Sequence, residues 1–346
     1  MRRDENRGAT AMKRIMIAVT AALLAQAPAS GARGEAPRSI DWTISPTGEA
    51  GKVQFAIRYS SGNDHSHVSR PWAVSDLAGL GESQLASDQA VPVRFRLARE
   101  AGTLDCEGTV RRRRGTGECS FAGDPAFAAA LQQRGIGRAD RADQFHLALH
   151  NIGIALIDEL DRQGYGRPSV NDLVALGIHG ADLRYLQQLD AISYRAGSAE
   201  RLVEMRIHGV SPEYLRELRS LGPAFANVPP EKATEMRIHG VSIEFIRELA
   251  GLGYRGLGPS ELVAMRIHGV KPAVVRELAA LGYDRLTAHQ LTQIGVHGVS
   301  PDFIRGMRDA GYSRLSIEQL VEMRIHGVNP SEAREINAAV ASATPQ

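Results

Sequence analysis

Seven histidines recur at nearly equal intervals in the second half of the chain. Imidazole is the side chain best suited to bind metals and move protons near neutral pH. The intervals between them are 29, 29, 31, 29, 29 and 29 residues. The seven are His150, His179, His208, His239, His268, His297 and His326. A zinc site needs several ligands at about 2 Å, whereas equivalent positions on packed helices lie about 8–10 Å apart. The spacing therefore predicts a row of histidines and favours a structural role over a metal site.

The residues around each histidine indicate that structural role. The motif is Met-Arg-Ile-His-Gly-Val in its clearest copies, and only in the first unit does Asn151 replace the glycine after His150. A glycine in this place typically ends a helix in the left-handed conformation. The preceding histidine can then bond free carbonyl groups and, when charged, favour the negative end of the helix dipole.

An arginine stands two residues before the histidine in four of the units, which are those of Arg206, Arg237, Arg266 and Arg324. This arginine could pair with helix glutamates or line a groove. Gly177 and Gly295 replace it in two units. A groove that binds uniformly would need the arginine in every unit, so we expect these arginines to form ion pairs and to be solvated.

The elements that must position these residues are short helices in pairs. Ser316 and Gln319 form a capping-box pattern before a predicted helix over 317–325. Gly327 ends that helix, and Asn329-Pro330 begins the next. Helices of this length are unstable alone in water, so units with a fixed period are expected to stack. We predict an α-solenoid of about seven helix hairpins over 123–342, followed by a frayed tail at 343–346. The interval of 31 predicts a bend or longer loop.

A β domain is predicted over 38–122. Apolar and polar residues alternate in 41–45, 52–58, 92–98, 103–110 and 115–121, as in half-buried strands. The polar stretch 60–70 is predicted as a loop, and 72–82 fits either a short helix or a strand. The fold class expected for the whole chain is α+β with two domains: a small antiparallel β sandwich or barrel, followed by the solenoid.

The two cysteines, Cys106 and Cys119, fall on facing positions of the last two predicted strands. Folding about Arg111-Arg112-Arg113-Arg114 places them opposite one another, which predicts a disulfide. Two buried free thiols are the alternative. The arginine run itself could be an anion contact, although a solvated turn is favoured. His65 and His67 in the predicted loop could also contact a metal, but a clear third ligand is missing.

The first residues resemble an export signal. Lys13 and Arg14 precede an apolar run over 15–25, and small residues follow. We predict a signal peptide over 1–32, with Met12 as the possible true start, and a linker over 33–37. The apolar run is shorter than the ~20 residues of a membrane helix. A periplasmic or secreted protein is expected, with a frayed cytosolic N-terminus as the alternative.

Composition and motifs narrow the function classes. The chain carries a formal net charge of +2, and the repeats show no basic stripe, so nucleic acid is not the expected partner. Ile-His-Gly-Val-Ser-Pro between two helices resembles the helix-hairpin-helix DNA module. That module needs a second glycine two residues after the first, where this chain has Ser211, Ser242, Lys271, Ser300 or Asn329. The common hydrolase, metallopeptidase and nucleotide-binding motifs are missing.

A closer resemblance covers nearly all of the predicted mature chain. It is carried by residues 95–108, by Gly115-Thr-Gly-Glu-Cys-Ser-Phe121, and by the Leu-Val-Glu-Met-Arg-Ile-His-Gly-Val units. Together these resemble a group of exported bacterial proteins of uncharacterised role. Similar units occur in the tails of some membrane metallopeptidases of the β-lactam-sensor antirepressor type. The resemblance implies a fold and an exported location; the peptidase's zinc motif and membrane helices are missing here.

These observations predict a non-catalytic exported scaffold that binds a protein partner through its repeats, with a possible role in cell-envelope sensing. No cofactor is expected, and no stable membrane span in the mature chain. Two other functions stay open. One is a periplasmic sensor of a ligand or metal. The other is an enzyme of unrecognised type with a site between the two domains.

Overall fold

The computed structural model of this chain describes residues 37, 39–61 and 64–343. The predicted signal peptide, almost all of the predicted linker, and residues 344–346 lie outside these ranges. The chain forms two compact units. The β unit holds the described residues up to Leu97 together with Leu104–Ser120. The helical unit holds Ala98–Thr103 and the chain from Phe121 onward.

Six strands in the described residues form one antiparallel sheet. They are β1 (Ser39–Pro46), β2 (Lys52–Ser61), β3 (Asp64–Ala73), β4 (Val91–Arg99), β5 (Gly102–Arg111) and β6 (Arg114–Gly123), in the order β3-β2-β1-β6-β5-β4. The prediction of a polar loop over 60–70 was wrong, because most of it is β3. This strand lies at the end of the sheet order, and its inward side chains are only half-buried between residues 66 and 70. It therefore lacks the apolar alternation that marks a strand in a sequence.

An aromatic cluster forms the core of the β unit. The rings of Phe55 on β2 and Phe95 on β4 lie 5.8 Å apart, and Trp42 on β1 lies 5.0 Å from Phe95. Three strands separate β2 from β4 in the sheet order. A flat sheet would place them about 19 Å apart at the usual strand spacing. The sheet is therefore strongly curved, with the aromatic residues on its enclosed face.

Glycines on β5 and β6 make room for the indole ring of Trp42, which is fully buried. A Cβ atom at Gly108 or Gly117 would come within 2.7 Å of that ring. Trp42 Nε1 donates a hydrogen bond to the carbonyl of Glu107 at 3.1 Å. Cys106 and Cys119 on the same two strands form a disulfide, with their Cα atoms 4.0 Å apart.

The arginine tip of this hairpin is anchored to its own unit. Residues 72–82, left undecided from sequence, end β3 and continue through a 3-10 turn over Val74–Asp76 to a short helix over Glu82–Ala86. Arg113 pairs with Glu82 at 2.5 Å, and Arg112 pairs with Asp88 at 2.6 Å. The expectation of a solvated turn is confirmed for Arg111, Arg112 and Arg114, which are exposed. Two of the four arginines are in addition held by carboxylates of the segment 82–88.

The helical unit begins with a single helix, Pro125–Gln133, and continues as seven helix pairs in the described residues. We number the pairs as repeats 1 to 7, from His150 to His326. The first helices are Arg141–Leu149, Val170–His179, Ala199–Ile207, Pro230–Ile238, Pro259–Ile267, Ala288–His297 and Ile317–Ile325. The second helices are Ile154–Arg162, Leu183–Asp190, Pro212–Ser220, Ile243–Gly251, Pro272–Ala280, Pro301–Asp309 and Pro330–Ala343.

The helices begin and end at the capping residues that the sequence predicts. In repeat 7 the Ser316 side chain accepts a hydrogen bond from Gln319 N, and the Gln319 side-chain oxygen accepts one from Ser316 N, which completes the capping box. Gly327 takes a φ of 75°. Val328 N then donates to the carbonyl of Met323 at 2.9 Å, the long bond of a Schellman motif. The same six-residue bond recurs in every repeat, so each turn has one geometry.

Each helix packs on its equivalents in the neighbouring repeats. First helices contact first helices and second helices contact second helices at all six junctions between repeats. In repeat 3 the inward side chains include Leu202, Met205 and Leu218, each at most 1% exposed. The connection between repeats 3 and 4, residues 221–229, is longer than that between repeats 4 and 5, residues 252–258, and it contains a one-turn 3-10 helix, Pro223–Phe225.

None of the helices in the described part of the chain combines the length and the apolar character that a membrane crossing requires.

Candidate binding surface of the helical repeats

The seven histidines lie at equivalent places, at or next to the C-terminal end of each first helix. His179 and His326 are exposed and the others are half-buried. Two imidazoles bond within their own helix: His326 Nε2 lies 2.8 Å from Glu322 Oε1, and His297 Nε2 lies 3.1 Å from Gln293 Oε1. Within residues 39–61 and 64–343, no three His, Cys, Asp or Glu side chains are grouped so that they could hold a metal ion.

The backbone carbonyl of the histidine is an acceptor for the next repeat. Arg206 Nε donates to the carbonyl of His179 at 3.4 Å. The same bond joins Arg237 to His208, Arg266 to His239, and Arg324 to His297, at 3.4, 3.3 and 3.3 Å. Each bond satisfies a carbonyl at the end of a helix, where no partner within the helix remains.

These arginines also stack on aromatic rings of the preceding repeat. The Arg206 guanidinium carbon lies 4.8 Å from the ring centre of Tyr185. The other three stack on Tyr214, Phe245 and Phe303 at 5.0, 5.0 and 5.1 Å. We call the ring contact together with the carbonyl bond an arginine clip. The predicted pairing of these arginines with helix glutamates was wrong, because a ring and a carbonyl hold them instead.

The tyrosine rings of these clips are themselves fixed to the next repeat. Tyr185 Oη donates to the carbonyl of Val210 at 2.8 Å, and Tyr214 Oη donates to the carbonyl of Val241 at 3.1 Å. Burial raises the pKa of Tyr214 to about 12, although the nearby Arg237 opposes the shift. Burial likewise raises the pKa of Tyr185. Both phenols are therefore neutral donors near neutral pH.

A ladder of ion pairs joins the exposed sides of the second helices. Arg247, Arg276 and Arg305 pair with the glutamate of the preceding repeat, at 3.3, 2.8 and 2.9 Å. The glutamates are Glu217, Glu248 and Glu277. All of these side chains are about half exposed, and such pairs contribute between about 0 and 1 kcal/mol each. The ladder satisfies its own charges and leaves no strong field for a charged ligand.

The first helices carry an exposed apolar row that sequence reasoning missed. Its members immediately precede the histidines in repeats 2 to 7, and they are 46–54% exposed. The isoleucine row consists of Ile178, Ile207, Ile238, Ile267, Val296 and Ile325. Ile207 is exposed because it lies two residues, or about 200° around the helix, from the buried Met205. In repeat 1 the equivalent Leu149 is fully buried.

The polar residues beside this row largely pair with one another. Glu204, one turn before Ile207, accepts from Arg201 at 2.6 Å. Arg201 also reaches Glu231 of the next repeat at 3.2 Å. Beside the row in repeats 3 and 4, the carboxylates of Glu204 and Glu231 therefore share one arginine.

The other sequence-predicted contacts do not assemble a site. His65 and His67 lie on β3, opposite Ser60 and Arg58 of β2, and both are exposed. A shallow groove of about 780 Å³ crosses β4, β5 and β6. Ion pairs line it, with Arg94 3.4 Å from Glu107 and Arg96 2.7 Å from Asp105. Opposite charges therefore meet within the groove.

Comparison with known proteins found no matching protein-family model, curated protein or solved structure.

Proposed function

We propose that this chain is a non-catalytic, exported interaction protein whose repeats bind a protein partner through the isoleucine row. In this proposal the seven pairs form an α-solenoid, because helices of one repeat pack on the equivalent helices of its neighbours. The strongly curved sheet of the β unit is closer to an open barrel than to a two-layer sandwich. The resemblance to exported repeat proteins suggests a place in cell-envelope sensing.

The observation that carries the proposal is the regularity of the row. Single exposed apolar residues are common on protein surfaces, but a contiguous apolar patch often marks an interaction site. Here a β-branched side chain stays about half exposed at the same position in six successive repeats. Because the first helices pack side by side, neighbouring members of the row lie about 8–10 Å apart. A long partner surface can contact several of them together.

The row supplies a limited binding energy. Burying the exposed half of each aliphatic side chain contributes about 1 kcal/mol, hence about 6 kcal/mol for six members. Association costs between about 4 and 15 kcal/mol. The row alone would therefore bind weakly, and we expect the polar side chains beside it, such as Glu204 and His208, to add contacts in a stable complex.

Export is supported by two observations. The disulfide between Cys106 and Cys119 is of the kind that persists in oxidising compartments. The N-terminal residues also resemble a signal peptide, although they lie outside the described residues.

The test compares capture of partners from cell envelopes by three forms of the chain. The variant I207E/I238E places two carboxylates in the row, at side chains already exposed enough for the fold to tolerate them. The control A273E/A279E adds the same charge on the second helix of repeat 5, where both alanines are exposed. Glu213 and Glu244 already occupy the place of Ala273 in other repeats.

Wild type and A273E/A279E should recover the same partner, and I207E/I238E should lose it while keeping its circular dichroism spectrum. A photo-crosslinking residue at position 238 should attach to that partner, and the same residue at position 273 should not. A folded I207E/I238E variant that retains the partner would show that the row is not the binding surface.

A further inference from the structure

The junctions between successive repeats are of two kinds, and one pair of positions distinguishes them. The exit position lies six residues after the histidine of one repeat, and the entry position lies two residues before the histidine of the next. In four junctions an aromatic exit residue meets an arginine at the entry position. These pairs are Tyr185 with Arg206, Tyr214 with Arg237, Phe245 with Arg266, and Phe303 with Arg324.

The other two junctions pair an aliphatic exit residue with a glycine. Leu156 precedes Gly177, and Val274 precedes Gly295. A Cβ atom at Gly295 would lie 2.1 Å from the carbonyl oxygen of His268, and one at Gly177 would lie 2.7 Å from the Cβ atom of His150. The preceding repeat therefore approaches the entry backbone directly, with no room for a side chain between them.

The two positions agree at all six junctions. Aromatic exit residues are followed by arginine, and aliphatic ones by glycine. Local helix preference cannot produce this agreement, because the two residues lie in different repeats, 21 residues apart in the case of Phe245 and Arg266. A guanidinium gains from the face of an aromatic ring, and Val or Leu offers no such face. A glycine opposite an aromatic residue would leave the face of that ring without a stacked guanidinium.

We infer that the exit and entry residues form a matched junction pair that decides which repeat can follow which. An aromatic–arginine pair holds neighbouring repeats through an interposed side chain. An aliphatic–glycine pair holds them through direct backbone contact. The pair is thus a specificity determinant of the repeat array itself, and it goes beyond the proposed partner binding because it acts whether or not a partner is present.

The first test is a double-mutant cycle at one arginine junction, made in the full chain. Phe245 and Arg266 are suitable because the Phe245 ring carries no hydroxyl group with a further bond. The variants are F245L, R266Q and F245L/R266Q. Leucine is chosen because Leu156 occupies the exit position in repeat 1. The unfolding equilibrium constant is measured in urea, with hydrogen exchange of repeat 5 amides as a local readout.

The two single changes should be coupled. A cation–π contact of ordinary strength corresponds to a coupling factor of about 2- to 30-fold in the unfolding equilibrium constant. The matched control is a second cycle in which Arg276 is changed in place of Arg266. The guanidinium of Arg276 pairs with Glu248 in the exposed ladder. The cycle of F245L with R276Q should be additive. A coupling factor near one for Arg266, equal to that of Arg276, would overturn the inference.

The second test transplants an arginine pair into a glycine junction. G295R alone should raise the unfolding equilibrium constant strongly, because the new side chain meets the His268 carbonyl without a ring to stack on. Adding V274F should recover at least part of the loss, although V274F alone should not stabilise the chain. If V274F/G295R loses as much unfolding free energy as V274F and G295R lose when added together, the pair is not matched. Should G295R fail to fold, rescue of folding by V274F supports the inference, and failure of both forms contradicts it.

Discussion

The helical glycines give the sharpest test of how closely neighbouring repeats approach. Gly251 ends the second helix of repeat 4, and a Cβ atom there would meet nothing within 4 Å. Gly295 lies inside the first helix of repeat 6, and a Cβ atom there would lie 2.1 Å from the His268 carbonyl oxygen. The same Gly→Ala change should therefore have opposite effects at the two sites.

The magnitudes follow from two opposing contributions. Alanine in place of glycine in a helix stabilises by up to about 1 kcal/mol. That is the whole effect expected of G251A. At Gly295 the repeats must separate by about 1 Å to accept the new methyl group, and such overpacking costs about 1–3 kcal/mol. The free energy of unfolding of G295A should lie about 1–3 kcal/mol below that of G251A, and at or below that of the wild type.

Urea unfolding followed by far-UV circular dichroism measures both variants. Repeat arrays can lose cooperativity, so hydrogen exchange of repeats 4 and 6 should accompany it. G295A should increase exchange in repeats 5 and 6, whereas G251A should not. If G295A stabilises the chain as much as G251A does, the close backbone contact at this junction does not exist.

Three further predictions concern other contacts. Replacing Cys106 and Cys119 by serine should lower the unfolding free energy of the β unit by about 3 kcal/mol; reductant should do the same to the wild type and leave the double variant unchanged, and an equal effect on both would contradict this. Y185F removes the bond from Tyr185 to the carbonyl of Val210, and should cost about 1–2 kcal/mol in urea unfolding; a cost near zero would show that the bond is not formed. Burial lowers the pKa of His146, so protonation of this imidazole favours the unfolded chain. The stabilising contribution of neutral His146 should be full above pH ~6.5 and should fall as the pH is lowered. Between pH 5 and 7, the stability of H146Q should therefore depend less on pH than that of the wild type.

The sequence was most informative about the helix pairs, because their ends are marked by residues with narrow conformational preferences. Ser316 with Gln319 begins a helix, and Gly327 ends it, in the places predicted. These signals act over a few residues and need no knowledge of the neighbouring repeat. The strand β3 lacked such a signal, since an edge strand with half-buried inward residues shows little apolar alternation.

The candidate surface was harder to predict because it depends on contacts between repeats. An isoleucine beside a buried methionine fits a helix core equally well in sequence, and only the direction of Met205 into the core shows that Ile207 points outward. The arginine clip joins residues in different repeats, so it leaves no local pattern. One signal was present in the sequence: Gly177 and Gly295 follow the two repeats whose exit residue is aliphatic.

Matched junctions also restrict how such a gene can change its length. Repeats 3 and 4 each have arginine at the entry position and an aromatic exit residue, so either can be duplicated or deleted without leaving an unmatched neighbour. Repeat 5 has Arg266 and Val274, and repeat 6 has Gly295 and Phe303. These two repeats act as adaptors, since each has an arginine-type junction on one side and a glycine-type junction on the other. Loss of one without the other would leave an unmatched junction, so they must be inherited together. Recombination would therefore lengthen or shorten the array in its middle and preserve the order of the adaptors.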